Sequence, residues 1–347
     1  MTSSQPDITL VTGANGLIGS HIIRRYLDAG RPVAALRRAG SDLGLLNDIK
    51  DRVTWFEGDI LDIPSLEDAL QTVQTRGTVD VIHVAAMISY SPKDRDRMDK
   101  VNVEGTANVV NICLAKGVRK LGYVSSVAAI GRPTIKGEND NAPIVIDEDQ
   151  RWEESPQNSF YGQTKYRAEL EVWRGVAEGL NAVMVNPSLV LGEGDWTRSS
   201  TQLFKYAFDE KPFYPAGIVN LVDVRDVAEA VFQLMQSDIT AERFILSAKS
   251  LSYKDFLDKM ADAMGKKRPK YRVSPKLTQL LWPVEAVRAW ITGKAPLITR
   301  ETARSASGHY QYQGRKIEQT LPFHYRNMDE TIQRISVFFK RTHDQTE

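Results

Sequence analysis

The stretch from Ile8 to Ser20, ITLVTGANGLIGS, constrains this chain more than any other. Apolar residues ending at Val11 read as a short buried strand. Gly13, Gly16 and Gly19 follow at three-residue spacing, and Leu17, Ile18, Ile22, Ile23 and Tyr26 then recur on or near one helical face. Strand, tight glycine turn and helix make the cradle of a dinucleotide pyrophosphate. Glycine permits left-handed backbone and close approach, and the helix N-terminus offers unpaired N–H groups to the phosphates. A glycine triplet alone says little; its place between a strand and a helix gives it weight. It assigns Gly13, Asn15, Gly16, Leu17, Ile18 and Gly19 to the cofactor.

The alternation continues down the chain. RPVAALRR, VTWFEGDI, VDVIHVAA, RKLGYVSS and NAVMVNPSLVLG read as strands, separated by helices over Asp62 to Thr75, Asp94 to Lys116 and FYGQTKYRAELEVWRGVAEG. That order predicts an α/β fold, a Rossmann-type doubly wound parallel sheet with helices on both faces. Beyond Gly192 the pattern breaks. Short helices and aromatic segments appear, with RFILS as a late strand, an amphipathic helix from Tyr253 to Gly265, and a helix around Leu280 to Ile291. The expected division is a dinucleotide-binding domain over 1–190, to which 218–248 returns. A smaller, mostly helical substrate domain takes 191–217 and 249–347.

Composition narrows the function. Lys plus Arg number 45 against 44 Asp plus Glu, so no overall nucleic-acid footprint exists, and the basic run Lys266 to Arg272 reads as a solvated link. The lone cysteine, Cys113, excludes an intramolecular disulfide and sits on a helix face as a structural thiol. The opening residues MTSSQPD lack the charged and apolar regions of a signal peptide. No apolar stretch approaches the ~20 residues of a membrane span. The expectation is a soluble, cytoplasmic protein acting on a small molecule.

Cofactor choice is written at the end of the second strand. An NAD-selective chain places an acid there for the ribose hydroxyls. Here stand Arg37 and Arg38, suited to a 2′-phosphate by charge-assisted pairing, so NADP(H) is favoured and NAD(H) stays allowed. Asp59 and Ile60, after the third strand, are placed to meet adenine. Ala85 and Ala86 end the fourth strand with side chains small enough to admit a ribose or a flat ring. His83, inside that strand, reads as a satisfied core residue.

Tyr161 and Lys165 are four apart on one helix and share a face. A free phenol ionises near 10, and an adjacent ammonium favours the phenolate; lowering it to about 7 takes ~4 kcal/mol. Ser125 and Ser126 end the fifth strand, where doubly wound sheets bind ligands. Ser126 is the candidate to orient a carbonyl or alcohol beside the phenol.

These motifs together resemble the extended short-chain dehydrogenase/reductases, over most of the chain. TGANGLIG, GDI (Gly58 to Ile60), HVAA, NVEGT (Asn102 to Thr106), SSVAAIG, YGQTK and NPSLVLG fall in that family's order and spacing. The resemblance implies Tyr161 as general acid/base, Lys165 as its pKa modifier and ribose ligand, and Ser126 as the substrate-orienting hydroxyl. It also places Asn102, Pro187 and Ser188 near the nicotinamide. Relatives often dimerise through the helices after the fourth and fifth strands, which allows a homodimer.

Within the family, ALRR and LVDVRDVA (Leu221 to Ala228) resemble the branch of dihydroflavonol reductase. Apolar and aromatic residues on the presumed substrate side (Met87, Ile88, Tyr90, Trp152, Phe160, Trp196, Phe213, Tyr214) suit an apolar or aromatic aldehyde or ketone. The alternatives are a nucleotide-sugar epimerase or dehydratase with retained NAD, for which Arg132, Arg198 and Lys205 would hold a pyrophosphate, and a 3-beta-hydroxysteroid-dehydrogenase-like enzyme. A non-catalytic dinucleotide sensor is a further class, disfavoured by the intact Tyr161/Lys165 pair.

Overall fold

The computed structural model describes residues 7–133, 142–195, 199–273 and 306–344. In chain order its strands are Ile8–Thr12 (β1), Val33–Arg37 (β2), Thr54–Glu57 (β3), Val79–His83 (β4), Lys120–Val124 (β5), Ile144–Ile146 (β6), Ala182–Pro187 (β7), Leu189–Leu191 (β8), Phe213–Pro215 (β9), Ile218–Asp223 (β10), Glu242–Leu246 (β11), Lys249–Ser252 (β12), Tyr271–Val273 (β13) and Tyr310–Tyr312 (β14). The helices are Leu17–Asp28 (α1), Ile63–Gln74 (α2), Arg95–Asp99 (α3), Gly105–Lys116 (α4), Phe160–Ala177 (α5), Gln202–Phe208 (α6), Val224–Gln236 (α7), Tyr253–Met264 (α8), Arg315–Thr320 (α9) and Met328–Asp344 (α10). A π turn, Lys100–Glu104, joins α3 to α4.

Seven strands form one parallel sheet in the order β11-β7-β5-β4-β1-β2-β3. Strands β1, β4, β5 and β7 are buried along their whole length, as parallel strands covered on both faces must be. One face packs Ile22, Ile23 and Tyr26 of α1 against Val227, Val231 and Leu234 of α7. The other packs Leu66 and Leu70 of α2 with Val109 and Val110 of α4 and Ala168 and Val172 of α5. The fold is thus the doubly wound sheet. The direction of winding reverses between β1 and β4, and a crevice opens there beyond the carboxyl ends of the strands.

NAVMVNPSLVLG, expected as a strand with its terminal loop, holds two strands that divide at Ser188. Pro187 has no N–H for a ladder, so β7 stops there and β8 turns away to pair with β10. Strands β8, β10 and β12 make a second small sheet, and α6, α8 and α10 pack on one another beside it around Phe204, Phe256, Ile335 and Phe339. Segment 218–248 is shared between the two: β11 and α7 belong with the large sheet, β10 with the small one.

The acids of LVDVRDVA hold these parts together. Asp223, fully buried, accepts from the Arg225 backbone and from Thr331 Oγ1 (2.8 Å) and Arg334 (2.9 Å) of α10. Asp226 pairs with Arg326. In the basic connector, Arg268 bonds Asp262 at 2.7 Å and Lys267 faces Glu210 at 3.6 Å, so its charges meet the chain's own acids. Cys113 is buried, and burial pushes its thiol well up. The stretch Leu280 to Ile291 lies outside the described residues. Among those described, no helix is long and apolar enough to cross a membrane.

At the amino end of the sheet, Asp80 is fully buried and pairs with Arg119. Burial outweighs the guanidinium and lifts its carboxyl to about 6. Arg119→Met leaves that carboxylate buried and unpaired and is expected to cost about 3 kcal/mol at pH 7. The loss should shrink as the pH falls toward 5 and Asp80 takes up a proton. Chemical denaturation at the two pH values checks this.

Candidate functional site

The glycine turn is as tight as its spacing requires. Gly13 has φ +67°, and a Cβ there would stand 2.5 Å from the Ala85 nitrogen; one on Gly19 would stand 2.2 Å from the Gly13 carbonyl oxygen. The bare faces of these two residues therefore let β1, the loop after β4 and the start of α1 converge. No side chain caps α1 at Gly16, and no acid lies in its first turn. An uncapped helix end without local carboxylates fits a pyrophosphate. Leu17 and Ile18 are half-buried and Asn15 is exposed, with its Nδ2 donating to the Asp42 carbonyl.

The remaining expected cofactor residues ring the same crevice. Arg37 ends β2 with its guanidinium 5.7 Å from the Trp55 ring centre, and Arg38 beside it is exposed. Asp59 is half-buried and accepts from the Leu61 N–H, while Ile60 is buried under α4 against Gly105. Ala85 and Ala86 follow β4. Pro187 and Ser188 follow β7, and the buried Ser188 hydroxyl has no protein partner among the described residues. Asn102 also has a structural part at this crevice. Its side chain accepts from the Met87 N–H (2.7 Å) and donates to the Met87 carbonyl (2.9 Å) and to Thr164 Oγ1 (3.0 Å). It clamps the loop carrying Ala85 and Ala86 to the helix carrying Tyr161.

The two serines divide their work. Ser125 Oγ donates at 2.7 Å to Glu169, which also accepts from Asn186 (2.8 Å) and Arg243 (3.2 Å). Ser126 Oγ accepts from the Ala128 N–H and lies beside the Tyr161 hydroxyl. Helix α5 reaches this position because Ser159 caps it, accepting from the Gly162 N–H, and because Gly162 lets the helix close on the Ala128 carbonyl. Tyr161 is buried at the carboxyl end of β5, with Tyr90 nearby.

Burial dominates the electrostatics of the pair. Burial raises the Tyr161 phenol well above its ordinary value and lowers the Lys165 ammonium to about 7. The four-residue spacing does put both on one face, but Lys165 Nζ donates to the Tyr123 hydroxyl (2.7 Å) and the Val124 carbonyl (3.1 Å). Desolvation is the largest cause of both shifts. Burial thus favours the protonated phenol.

Tyr123, Thr106 and Glu169 were not singled out by the sequence. Glu169, one turn beyond Lys165, was legible as a shared face; the others depend on strand register and helix placement. His83 is a satisfied core residue, with Thr12 Oγ1 at 2.7 Å from Nδ1 and Thr106 Oγ1 at 3.0 Å from Nε2. Of the presumed substrate side, Ile88 and Tyr90 are exposed. Trp152 stacks on Tyr166 at 4.4 Å, Phe160 lies under Arg95, and Phe213 pairs with Tyr271. Trp196 and Arg198 lie outside the described residues. Arg132 donates to Tyr312 and lies 5.2 Å from the Tyr310 ring centre; Lys205 pairs with Asp209.

The chain is similar to known proteins over most of its length. The profile of the NAD dependent epimerase/dehydratase family matches residues 9–245. Relatives named as reductases include a putative dihydroflavonol 4-reductase of Synechocystis sp., 31% identical over 91% of this chain and 89% of the relative. Another is cinnamoyl-CoA reductase 1 of Petunia hybrida, 27% identical over 82% of this chain and 84% of its own. Among solved structures, gox2253 superimposes with a TM-score of 0.77 at 30% identity, covering 97% of this chain and 98% of that one.

Two measurements probe the site. Gly13→Ala should lower dinucleotide affinity at least about 100-fold, since its Cβ collides with backbone and its φ is left-handed; isothermal titration with NADPH and NADH reads this. His83 is held neutral, with its folded pKa near 3 against 6.5 for the free side chain. Its contribution to stability is complete above about 6.5 and is lost as the pH falls from there toward 3. Comparing unfolding midpoints of wild type and His83→Gln at pH 7.5 and 5 should show a steeper acid loss in the wild type.

Proposed function

The chain belongs to the NAD dependent epimerase/dehydratase family, and within it we propose an NADPH-dependent reductase of a small, apolar or aromatic aldehyde or ketone. The observation that carries this reading is the buried Tyr161 hydroxyl, beside Ser126 at the carboxyl ends of the central strands, with Lys165 one turn along the same helix. A bound NADPH would supply the hydride to the carbonyl carbon. Tyr161 gives its proton to the carbonyl oxygen, Ser126 holds that oxygen in place, and Lys165 stabilises the phenolate that results. Gly13 through Gly19, Asp59, Ile60, Ala85, Ala86, Pro187 and Ser188 hold the dinucleotide, and Arg37 grips the 2′-phosphate.

The specific identity of the branch is supported by three features. The end of β2 carries Arg37 and Arg38 and no acid. The reductase relatives cover most of the chain. Arg132 and Lys205, the described cations that a sugar-nucleotide pyrophosphate would use, are engaged by Tyr312 and Asp209.

Purified protein should oxidise NADPH faster than NADH in the presence of aromatic or aliphatic aldehydes and ketones. Tyr161→Phe should lower kcat by roughly 1,000-fold, the upper part of the range for a general acid. Tightly retained NAD⁺ released on denaturation, with no net turnover, would overturn the reading in favour of an epimerase.

A further inference from the structure

A buried ammonium requires an acceptor for each N–H it turns inward. Lys165 has the Val124 carbonyl and the Tyr123 hydroxyl. The carbonyl can only accept, whereas a hydroxyl can rotate and present its proton instead. Which it does depends on where the Tyr123 proton goes.

Strand register answers this. Thr12 pairs with His83 and His83 with Tyr123, so the three stand in one row across β1, β4 and β5, with the imidazole stacked on the phenol at 5.5 Å. Thr106 of α4 meets that row. Its hydroxyl lies 2.6 Å from the Asn102 carbonyl, which can only accept, so the Thr106 proton points there. Thr106 Oγ1 is then an acceptor toward its other neighbours, His83 Nε2 and the Tyr123 hydroxyl. His83 must carry its proton on Nε2 and leave Nδ1 bare, which suits Thr12 donating to Nδ1. With Thr106 as acceptor beside it, Tyr123 can turn its proton away from Lys165 and keep its lone pairs for the ammonium.

We propose that Tyr123 is a positioning residue for Lys165, locked by Thr106 into the role of acceptor so that it fixes the lysine at the carboxyl end of β5 and favours its charged form. The consequence for catalysis rests on the role of Lys165 proposed above; the direction of the Tyr123 hydroxyl does not. Around the pair stand Glu169 and Tyr161 on α5 and His83 on β4, with Arg243 of β11 bound to Glu169.

The test reads the lysine itself, in full-length protein without cofactor. Lysine labelled with ¹³C at Cε is titrated by NMR, and the Lys165 signal is identified by its loss in Lys165→Arg. Tyr123→Phe keeps the ring and removes the acceptor, so the Lys165 midpoint should fall by about one pH unit. Thr106→Val frees the Tyr123 proton to be donated to a neutral amine and should also lower the midpoint, whereas Thr106→Ser should keep the wild-type value. An unchanged midpoint in Tyr123→Phe, or equal midpoints in the Val and Ser variants, overturns the proposal. The Thr106 pair decides alone if Tyr123→Phe does not fold. Failure of the wild type to reduce any carbonyl would sink the proposed function while leaving this titration intact.

Discussion

Backbone meets backbone where Gly13 passes the nitrogen of Ala85, and the geometry of the whole crevice follows from that approach. Two loops can lie this close only if one of them has no side chain in the way. A left-handed glycine at the end of β1 turns the chain sharply enough for α1 to begin at once, leaving its first-turn N–H groups uncapped. The reversal of strand order puts these groups beside the carboxyl ends of β4 and β5. The uncapped start of α1 and the buried Tyr161 hydroxyl are thus placed relative to one another by the sheet.

The second theme is the burial of polar groups in satisfied networks. Lys165, Glu169, Asn102, His83 and Thr106 are all almost fully inaccessible, and each is held by partners from a different element. Such networks are costly when incomplete and rigid when complete. Glu169 joins β5, β7 and β11 through Ser125, Asn186 and Arg243, and Asn102 joins the loop after β4 to α5. The π turn containing Asn102 is one of the places where helices depart from regular geometry to aim a side chain. The small sheet with α6, α8 and α10 is attached through buried Asp223 in the same manner.

Much of this was legible in the sequence. Period-two and period-3.6 patterns gave the strand and helix order, and glycine chemistry gave the turn, because both are local properties. The split of NAVMVNPSLVLG at Ser188 was not, since an apolar run looks the same whether it stays in one sheet or crosses to another. Nor was the function of the acids in LVDVRDVA, whose partners Arg326, Thr331 and Arg334 lie about 100 residues away, in and just before α10. The choice between Ser125 and Ser126 was drawn from family spacing; the structure adds the physical reason, that the Ser125 hydroxyl is already committed to Glu169.

By itself the sequence determined the residue types on which the site is built: glycines where no Cβ fits, a phenol and an amine one helical turn apart, and paired arginines with no acid at the end of β2. Only the tertiary structure decided their electrostatic state. Whether Tyr161 is acid or phenolate, and which way the hydroxyl of Tyr123 turns, depends on solvent exclusion and on partners from β1, β4 and α4. Desolvation and cross-strand hydrogen bonds are properties of assembled layers, and no local spacing encodes them.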